Sequence, residues 1–270
     1  MGNGIAHVFA QRGWSVTLVD VSRPALERAF ETIGRNLERQ VKKGTISEAD
    51  RDATLKRVVL AGDLGGAQDS ALIVEAVFEE PGRKFDLFVE LDRRVPPPAI
   101  LASNTSSVSI TEIAARTMHP ERVVGMHFMN PVPVMPLVEV IRGLATSAAT
   151  VQSVIQTVQE LGKTPVEVSD YPGFVSNRVL MPMINEAIYC VMEGVATPEA
   201  VDTVMKLGMN HPMGPLALAD LIGLDVCLAI LNVLQHGLGD DKYRPCPLLR
   251  KMVAAGRLGR KSGRGFYEYP

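Results

Sequence analysis

The chain has 270 residues, a formal net charge of −2 at pH 7 and 46% hydrophobic residues. This apolar content argues against a disordered chain, and the nearly balanced charges give no footprint for nucleic acid or an anionic membrane. The three cysteines share no C-x-x-C spacing, so we expect neither a disulfide framework nor a metal site, and a reducing, cytoplasmic compartment fits. The longest apolar region, residues 216–234, is interrupted by Asp and Gly and predicts buried helices rather than a membrane span.

The first half of the chain alternates between helix-like and strand-like segments. Apolar residues at helical spacing, capping residues and terminal glycines predict helices at 2–12, at 23–43 and from Ser47 onward. Short apolar runs predict strands at 15–20, 71–76, 99–102 and 123–127. Because these runs are apolar on both faces, they indicate a parallel sheet covered by helices, which is an α/β fold of the doubly wound, Rossmann type.

The second half of the chain predicts almost only helices. They are expected at 174–193, 197–207, 215–221, 224–236 and 246–255, with Gly and Pro between them. We therefore predict two domains that meet at the Tyr171-Pro172-Gly173 break: a dinucleotide-binding domain over residues 1–172 and an all-helical substrate and dimerisation domain over residues 173–270.

A partial nucleotide-binding signal lies at the N-terminus. The opening M-G-N-G-I-A is similar to the end of a G-x-G-x-x-G motif, with Gly2 as the third glycine, and the first strand and the first two glycines are absent from the sequence. Asp20 ends the next strand, where an acid can bond the adenosine ribose hydroxyls. An ordinary amphipathic helix followed by a strand explains these residues equally well. We expect that an added upstream strand would raise NAD affinity.

Two further segments place polar residues beside apolar strands. Residues 103–107 (SNTSS) follow the strand AILA, at the edge where open α/β sheets bind ligands, although Ser and Asn also cap helices. His127 ends an apolar strand, and Glu139 is the one acid in the alternating strand LVEVI. A buried carboxylate normally needs a partner, so we predict that Glu139 pairs with His127 across neighbouring strands and fixes the imidazole tautomer.

Together, several long motifs closely resemble the L-3-hydroxyacyl-CoA dehydrogenase family over essentially the whole chain, with the bacterial 3-hydroxybutyryl-CoA dehydrogenases most similar. The motifs are SNTSS, GMHFMNPVPVMPLVEV, PGFVSNR, HPMGPLALADLIGLD and GRKSGRGFYEY. The resemblance implies reversible oxidation of an L-3-hydroxyacyl-CoA to the 3-ketoacyl-CoA with NAD as cofactor, in a homodimer whose interface lies in the helical domain. Independently of the resemblance, nine Leu and Ile residues of the helical domain form a surplus over what one small domain would ordinarily bury: Leu216, Leu218, Leu221, Ile222, Leu224, Leu228, Ile230, Leu231 and Leu234.

The resemblance also implies roles for individual residues. His127 is the general acid/base, Glu139 is its partner, and Ser106 and Asn177 hold the substrate's C3 oxygen. The implied cofactor contacts are Gly2, Asp20, Glu79, Lys84, Ser106, Asn130 and Lys261. Arg39 and Lys43 lie on the long second helix, where the family binds the CoA phosphates.

Three alternatives stay open at the level of sequence. The same fold occurs in dehydrogenases of sugar acids such as gulonate, although the basic residues near Arg39 favour a phosphorylated CoA ligand. A noncatalytic structural relative is the second alternative. NADP is the third, because Arg23 lies near Asp20, whereas the Asp20 carboxylate itself favours NAD.

Overall fold

The computed structural model describes all of residues 1–270, which divide into two compact units, Met1–Asp170 and Tyr171–Pro270. No single helix is long and apolar enough to cross a membrane. One pair, Pro215–Ile222 and Leu224–Leu238, reaches the required length and composition only when its two helices, bent by 97°, are taken together.

The first unit contains seven strands and six α-helices. The strands are β1 Val16–Val19, β2 Val58–Ala61, β3 Leu72–Glu75, β4 Ile100–Ser103, β5 Val123–Phe128, β6 Leu137–Arg142 and β7 Thr164–Ser169. The helices are α1 Gly2–Gln11, α2 Arg23–Lys42, α3 Glu48–Lys56, α4 Pro81–Arg94, α5 Ile110–Ala114 and α6 Ala148–Glu160.

Local sequence signals explain where the early helices begin and end. The Ser22 hydroxyl caps α2, which has Pro24 in its first turn, and Ser47 and Asp50 form the predicted capping box of α3. Gly13 and Gly44 follow α1 and α2 with φ of +97° and +69°, a conformation that ends a helix at little cost for glycine.

The strands form two sheets. The strands β1 and β2 pair in parallel, and the larger sheet has the order β3-β4-β5-β6-β7. In the larger sheet, β6 runs antiparallel to β5, and the other pairs are parallel. The expectation of a wholly parallel sheet is therefore wrong at β6, because residues 129–136 are too short for the crossover that parallel strands require. The strands β2 and β7 were not predicted.

Helices cover the larger sheet and leave a polar edge on it. Side chains from α1 and α6 pack on one face, against Val124, Met126, Val138 and Val140. Because successive side chains of a strand point to opposite faces, His127 and Glu139 lie on the other face, together with Gly125. A Cβ on Gly125 would lie 2.6 Å from Ile141 Cβ and 3.1 Å from Ile110 Cδ1 of α5, so only glycine lets these elements pack this closely.

The second unit is helical, as predicted. Its helices are α7 Ser176–Met192, α8 Pro198–Thr203, α9 Pro215–Ile222, α10 Leu224–Leu238 and α11 Pro247–Ala254, and a π-helical turn spans Val204–Gly208. Most of the apolar residues that sequence reasoning assigned to a surplus form this unit's own core. Leu216, Leu224, Leu231 and Leu234 are fully buried, whereas Leu221 is 49% exposed. The expected surplus is therefore much smaller than the sequence suggested.

Two buried carboxylates fasten the C-terminal segment onto α9. Asp220 accepts hydrogen bonds from the backbone N–H groups of Phe266 and Tyr267, at 3.0 Å each, and from the Tyr269 hydroxyl. Asp202 accepts bonds from two N–H groups in the first turn of α9 and from the Tyr267 hydroxyl. The motif GRGFYEY is thus bonded to Asp220 of α9, partly through the Tyr269 hydroxyl, and to Asp202 of α8 through the Tyr267 hydroxyl.

Candidate active site

The carboxyl ends of β3, β4 and β5 lie at one edge of the larger sheet, because these three strands are parallel. Asn104, the first residue after β4, connects all three ends. Its backbone N–H donates to the Glu75 carbonyl at 2.8 Å, and its side-chain Oδ1 accepts from the Phe128 N–H at 2.9 Å. This edge therefore holds the residue after His127 in a fixed position.

His127 and Glu139 are directly opposite each other in the antiparallel β5–β6 pair. The His127 Nδ1 and Glu139 Oε2 atoms are 2.8 Å apart, and the two side chains are only 11% and 3% exposed. The predicted pairing of these residues is thus present. An ionised carboxylate can only accept a hydrogen bond, so the proton of the neutral imidazole lies on Nδ1. Glu139 thereby fixes the tautomer and the orientation of the ring.

Glu79 organises the polar segment after β4. Its Oε1 accepts from the Thr105 hydroxyl and from the backbone N–H groups of Ser106 and Ser107, at 2.8 and 2.9 Å. Burial raises the pKa of Glu79, but the hydrogen bond from Thr105, the charge of Lys84 and the bonds from the two serines outweigh burial and hold the pKa below its usual value. Glu79 is therefore ionised at neutral pH and fixes the backbone at Ser106.

Lys84 lies in the interior of the first unit. Its side chain is 1% exposed, and its Nζ lies 2.7 Å from Glu75 Oε1 and 3.2 Å from Glu79 Oε2. A direct cofactor contact, which the resemblance implied for Lys84, does not match this burial. The ammonium group instead forms an ion pair with Glu79 from the interior of the unit.

The remaining predicted residues of the first unit lie in three places. Asp20, directly after β1, is exposed, and its Oδ1 accepts from the Ser22 N–H at 2.8 Å. Asn130 is also exposed, two residues beyond β5. Arg39 and Lys43 lie four residues apart on α2 and at its end, exposed on one helix face and without an ion-pair partner.

The start of α1 lies between β1 and β3. A Cβ on Gly2 would lie 4.0 Å from Leu18 of β1 and 3.9 Å from Ala76, which follows β3. These are ordinary contacts, so Gly2 is not required for close packing. The tight glycine is Gly4, where a Cβ would lie 3.0 Å from Val132 Cβ.

Two predicted residues belong to the second unit. Asn177 lies in the first turn of α7 and is 9% exposed. The Lys261 Nζ donates to Asp225 Oδ2 at 2.6 Å. Although burial disfavours the charged carboxylate, the hydrogen bond and the charge of Lys261 hold the pKa of Asp225 below its usual value. Sequence reasoning gave no individual role to Asp225 or, in the first unit, to Glu75 and Asn104.

The groups on the first unit fit a bound dinucleotide. The N-terminus of α1, where backbone N–H groups favour a phosphate, lies between β1 and β3, and an exposed carboxylate that can bond a ribose follows β1. The His127–Glu139 pair lies at the carboxyl edge of the other sheet. A Rossmann-type α/β unit with these features, followed by a helical unit, defines the class of NAD-dependent oxidoreductases.

Comparisons with known proteins identify the family within this class. Residues 1–171 match the NAD binding domain of 3-hydroxyacyl-CoA dehydrogenase, and residues 173–269 match the C-terminal domain of the same family. The chain therefore belongs to the 3-hydroxyacyl-CoA dehydrogenase family. Only Pro172 separates the two matched regions.

Curated relatives and solved structures agree over the whole chain. A probable 3-hydroxybutyryl-CoA dehydrogenase of Bacillus subtilis is 59% identical over 269 residues, covering 100% of this chain and 94% of that protein. A 3-hydroxybutyryl-CoA dehydrogenase of Bradyrhizobium diazoefficiens is 54% identical, covering 100% and 92%. The crystal structure of an (S)-3-hydroxybutyryl-CoA dehydrogenase from Ralstonia eutropha has a TM-score of 0.98 at 48% identity, covering 100% and 95%.

Proposed function

We propose that this chain transfers a hydride reversibly between NAD(H) and a short-chain L-3-hydroxyacyl-CoA, such as 3-hydroxybutyryl-CoA, and its 3-ketoacyl-CoA. The observation that carries the proposal is the buried His127–Glu139 pair, 2.8 Å apart, at the carboxyl edge of an NAD-binding unit. The names of the relatives that match over the full length of the chain support the short acyl group.

In this proposal, His127 carries the proton of the reaction. Since Nδ1 bonds Glu139, Nε2 exchanges the proton with the substrate's C3 oxygen. In the oxidative direction neutral His127 takes the hydroxyl proton, and in the reductive direction protonated His127 returns it to the carbonyl oxygen. When bound, NAD⁺ would accept the hydride in the oxidative direction, and NADH would supply it in the reductive direction. Glu139 stabilises the imidazolium form, and such a positioned acid/base contributes about 10²–10⁴-fold to the rate.

Ser106 and Asn177 hold the C3 oxygen in this proposal. The Ser106 backbone is fixed by Glu79, which lets its hydroxyl act from a defined position. Glu79, Asn130 and Lys261 are cofactor contacts in this proposal, and Lys84 supports Glu79 from the interior of the first unit. Arg39 and Lys43 present two positive charges on one exposed helix face, which suits the phosphates of CoA.

NAD is preferred over NADP for an electrostatic reason. A 2′-phosphate would meet the exposed Asp20 carboxylate. Arg23, which could otherwise neutralise that phosphate, pairs with Glu27 at 2.9 Å. Comparing kcat/KM for NADH and NADPH tests this preference, and equal values would contradict it.

We further propose that the protein is a homodimer. Exposed apolar side chains on the second unit support this, including Leu207 at 81%, Val179 at 67% and Leu221 at 49%. Light scattering at micromolar concentration is expected to give twice the chain mass of 29.3 kDa, and a monomer mass would contradict the proposal.

The decisive test of the function is NADH oxidation in the presence of acetoacetyl-CoA. We expect rapid turnover with acetoacetyl-CoA and none in the reverse assay with NAD and gulonate. Turnover with gulonate alone would favour the sugar-acid alternative, and NADH binding without any turnover would favour a noncatalytic relative.

A further inference from the structure

Glu75 is a buried carboxylate that the proposed mechanism does not use. It is the last residue of β3, and its side chain is fully buried. It accepts three hydrogen bonds: Lys84 Nζ at 2.7 Å and the Val77 N–H at 2.7 Å on Oε1, and the Ser103 hydroxyl at 2.6 Å on Oε2. A buried charge is costly unless it is paired and fully hydrogen-bonded, and Glu75 satisfies that condition.

Glu75 Oε1 is connected to residues 103–107 through its ion pair with Lys84. The Lys84 ammonium bridges Glu75 and Glu79, and its distance to Glu75 is the shorter, 2.7 against 3.2 Å. Glu75 therefore fixes the position of the Lys84 ammonium group, which also forms an ion pair with Glu79. Glu79 in turn accepts from the N–H groups of Ser106 and Ser107.

Glu75 Oε2 is connected to the same residues through the Ser103 hydroxyl. The Ser103 hydroxyl donates to Glu75 Oε2 and accepts from the Thr105 N–H at 3.2 Å. The Thr105 hydroxyl also bonds Glu79. Both ends of residues 103–107 are thus held by contacts that converge on one carboxylate.

We propose that Glu75 is a positioning residue that fixes Ser106 for substrate, through Lys84 and Glu79 on one side and through Ser103 on the other. This inference rests on the proposed function, in which Ser106 holds the C3 oxygen. Glu75 touches neither substrate nor cofactor. Its effect on the reaction therefore depends on the presence of the Ser106 hydroxyl.

The test is a double-mutant cycle between Glu75→Gln and Ser106→Ala, with NADH and acetoacetyl-CoA as substrates. A displaced catalytic group can cost up to about 100-fold in rate, so Glu75→Gln is expected to lower kcat by about tenfold to 100-fold with KM for NADH little changed. If Glu75 acts through Ser106, the double variant is no slower than the slower single variant. Effects that multiply would overturn the proposal.

Asp92→Asn is the matched control. The Asp92 side chain is 1% exposed and binds Arg122 at 2.7 Å, so it is a buried, ion-paired carboxylate like Glu75. Arg122 precedes β5 and also bonds the carbonyl before β4, which places this pair at the opposite edge of the sheet. Asp92→Asn is expected to reduce stability, and its effect on kcat is expected to be independent of Ser106→Ala.

Hydrogen exchange supplies a readout that does not require activity. In Glu75→Gln the amides of Ser106 and Ser107 are expected to lose protection, whereas Asp92→Asn leaves them protected. If Glu75→Gln does not fold, Ser103→Ala removes one of the two routes and is expected to give a smaller loss of protection at the same amides. Unchanged protection in these variants overturns the inference. A wild-type protein that shows the exchange pattern but no turnover overturns only the proposed function.

Discussion

Replacing Glu139 by Gln tests how much the buried pair contributes to proton transfer. The substitution keeps the shape of the side chain and an oxygen that can accept from His127 Nδ1, but it removes the negative charge. The neutral imidazole therefore keeps its hydrogen bond, whereas the imidazolium formed during oxidation loses a charge-assisted partner 2.8 Å away. The loss is concentrated in the transition state.

The magnitude follows from the burial of this bond. A hydrogen bond to a charged group contributes about 1.5–3 kcal/mol, and both side chains are nearly inaccessible to water. At about 1.4 kcal/mol per factor of ten, kcat is expected to fall by about tenfold to 150-fold. KM for L-3-hydroxybutyryl-CoA is expected to change little, because the ground-state contacts remain.

The assay is steady-state reduction of NAD with L-3-hydroxybutyryl-CoA, the direction in which the imidazolium forms, with Glu167→Gln as the control. Glu167 lies on β7, next to β6, and its pair with Arg142 is exposed, with N···O at 3.4 Å. Exposed pairs contribute little, so Glu167→Gln is expected to leave kcat unchanged. A Glu139→Gln variant with wild-type kcat would refute the assigned role of the pair.

Three further substitutions test other parts of the structure. Asn104→Ala leaves a backbone N–H of β5 without its acceptor, so denaturant unfolding is expected to show a loss of about 1–3 kcal/mol together with a lower kcat. Gly34→Ala, where a Cβ meets nothing within 4 Å in α2, is expected to raise stability by about 1 kcal/mol, whereas Gly4→Ala lowers it because its Cβ would lie 3.0 Å from a valine. Burial lowers the pKa of His7 and outweighs its bond to Gln11. Below pH 6.5 the unfolded chain therefore binds a proton at His7 that the folded state excludes. As the pH is lowered below 6.5, the unfolding free energy decreases by up to about 1.4 kcal/mol per pH unit, and His7→Gln is expected to remove this contribution.

The sequence was most informative where an acid interrupts a regular apolar pattern. Glu139 stands among apolar neighbours in an alternating strand, which predicted both its burial and its need for a partner. The same signal was present at Glu75 in the run ALIVEA and was not used. Its partner Lys84 could not be found from pattern alone, because a lysine near the start of an amphipathic helix normally faces solvent.

Two strands escaped prediction because their patterns are weak. The strand β2 has four residues, and β7 (TPVEVS) contains a proline, a glutamate and mostly exposed positions. The strand β7 is the last in the sheet order, and edge strands are the ones that tolerate proline. The antiparallel direction of β6 could have been predicted from the sequence, because the connection of residues 129–136 is too short for the crossover between parallel strands.

The surplus of apolar residues in the helical unit could not be judged from composition. Leu216, Leu224 and Leu231 are spaced so that short helices bury them against one another, and this spacing is visible only once the bends between α7, α9 and α10 are known. A count of leucines does not distinguish a compact core from an interface.

The most direct test of the account is the turnover of His127→Gln with NADH and acetoacetyl-CoA, measured beside its NADH affinity. We expect NADH to bind as tightly as it does to the unmodified chain while kcat falls by at least about 100-fold, because the proton has lost its carrier. A variant that turns over at a rate close to that of the unmodified protein would contradict the account.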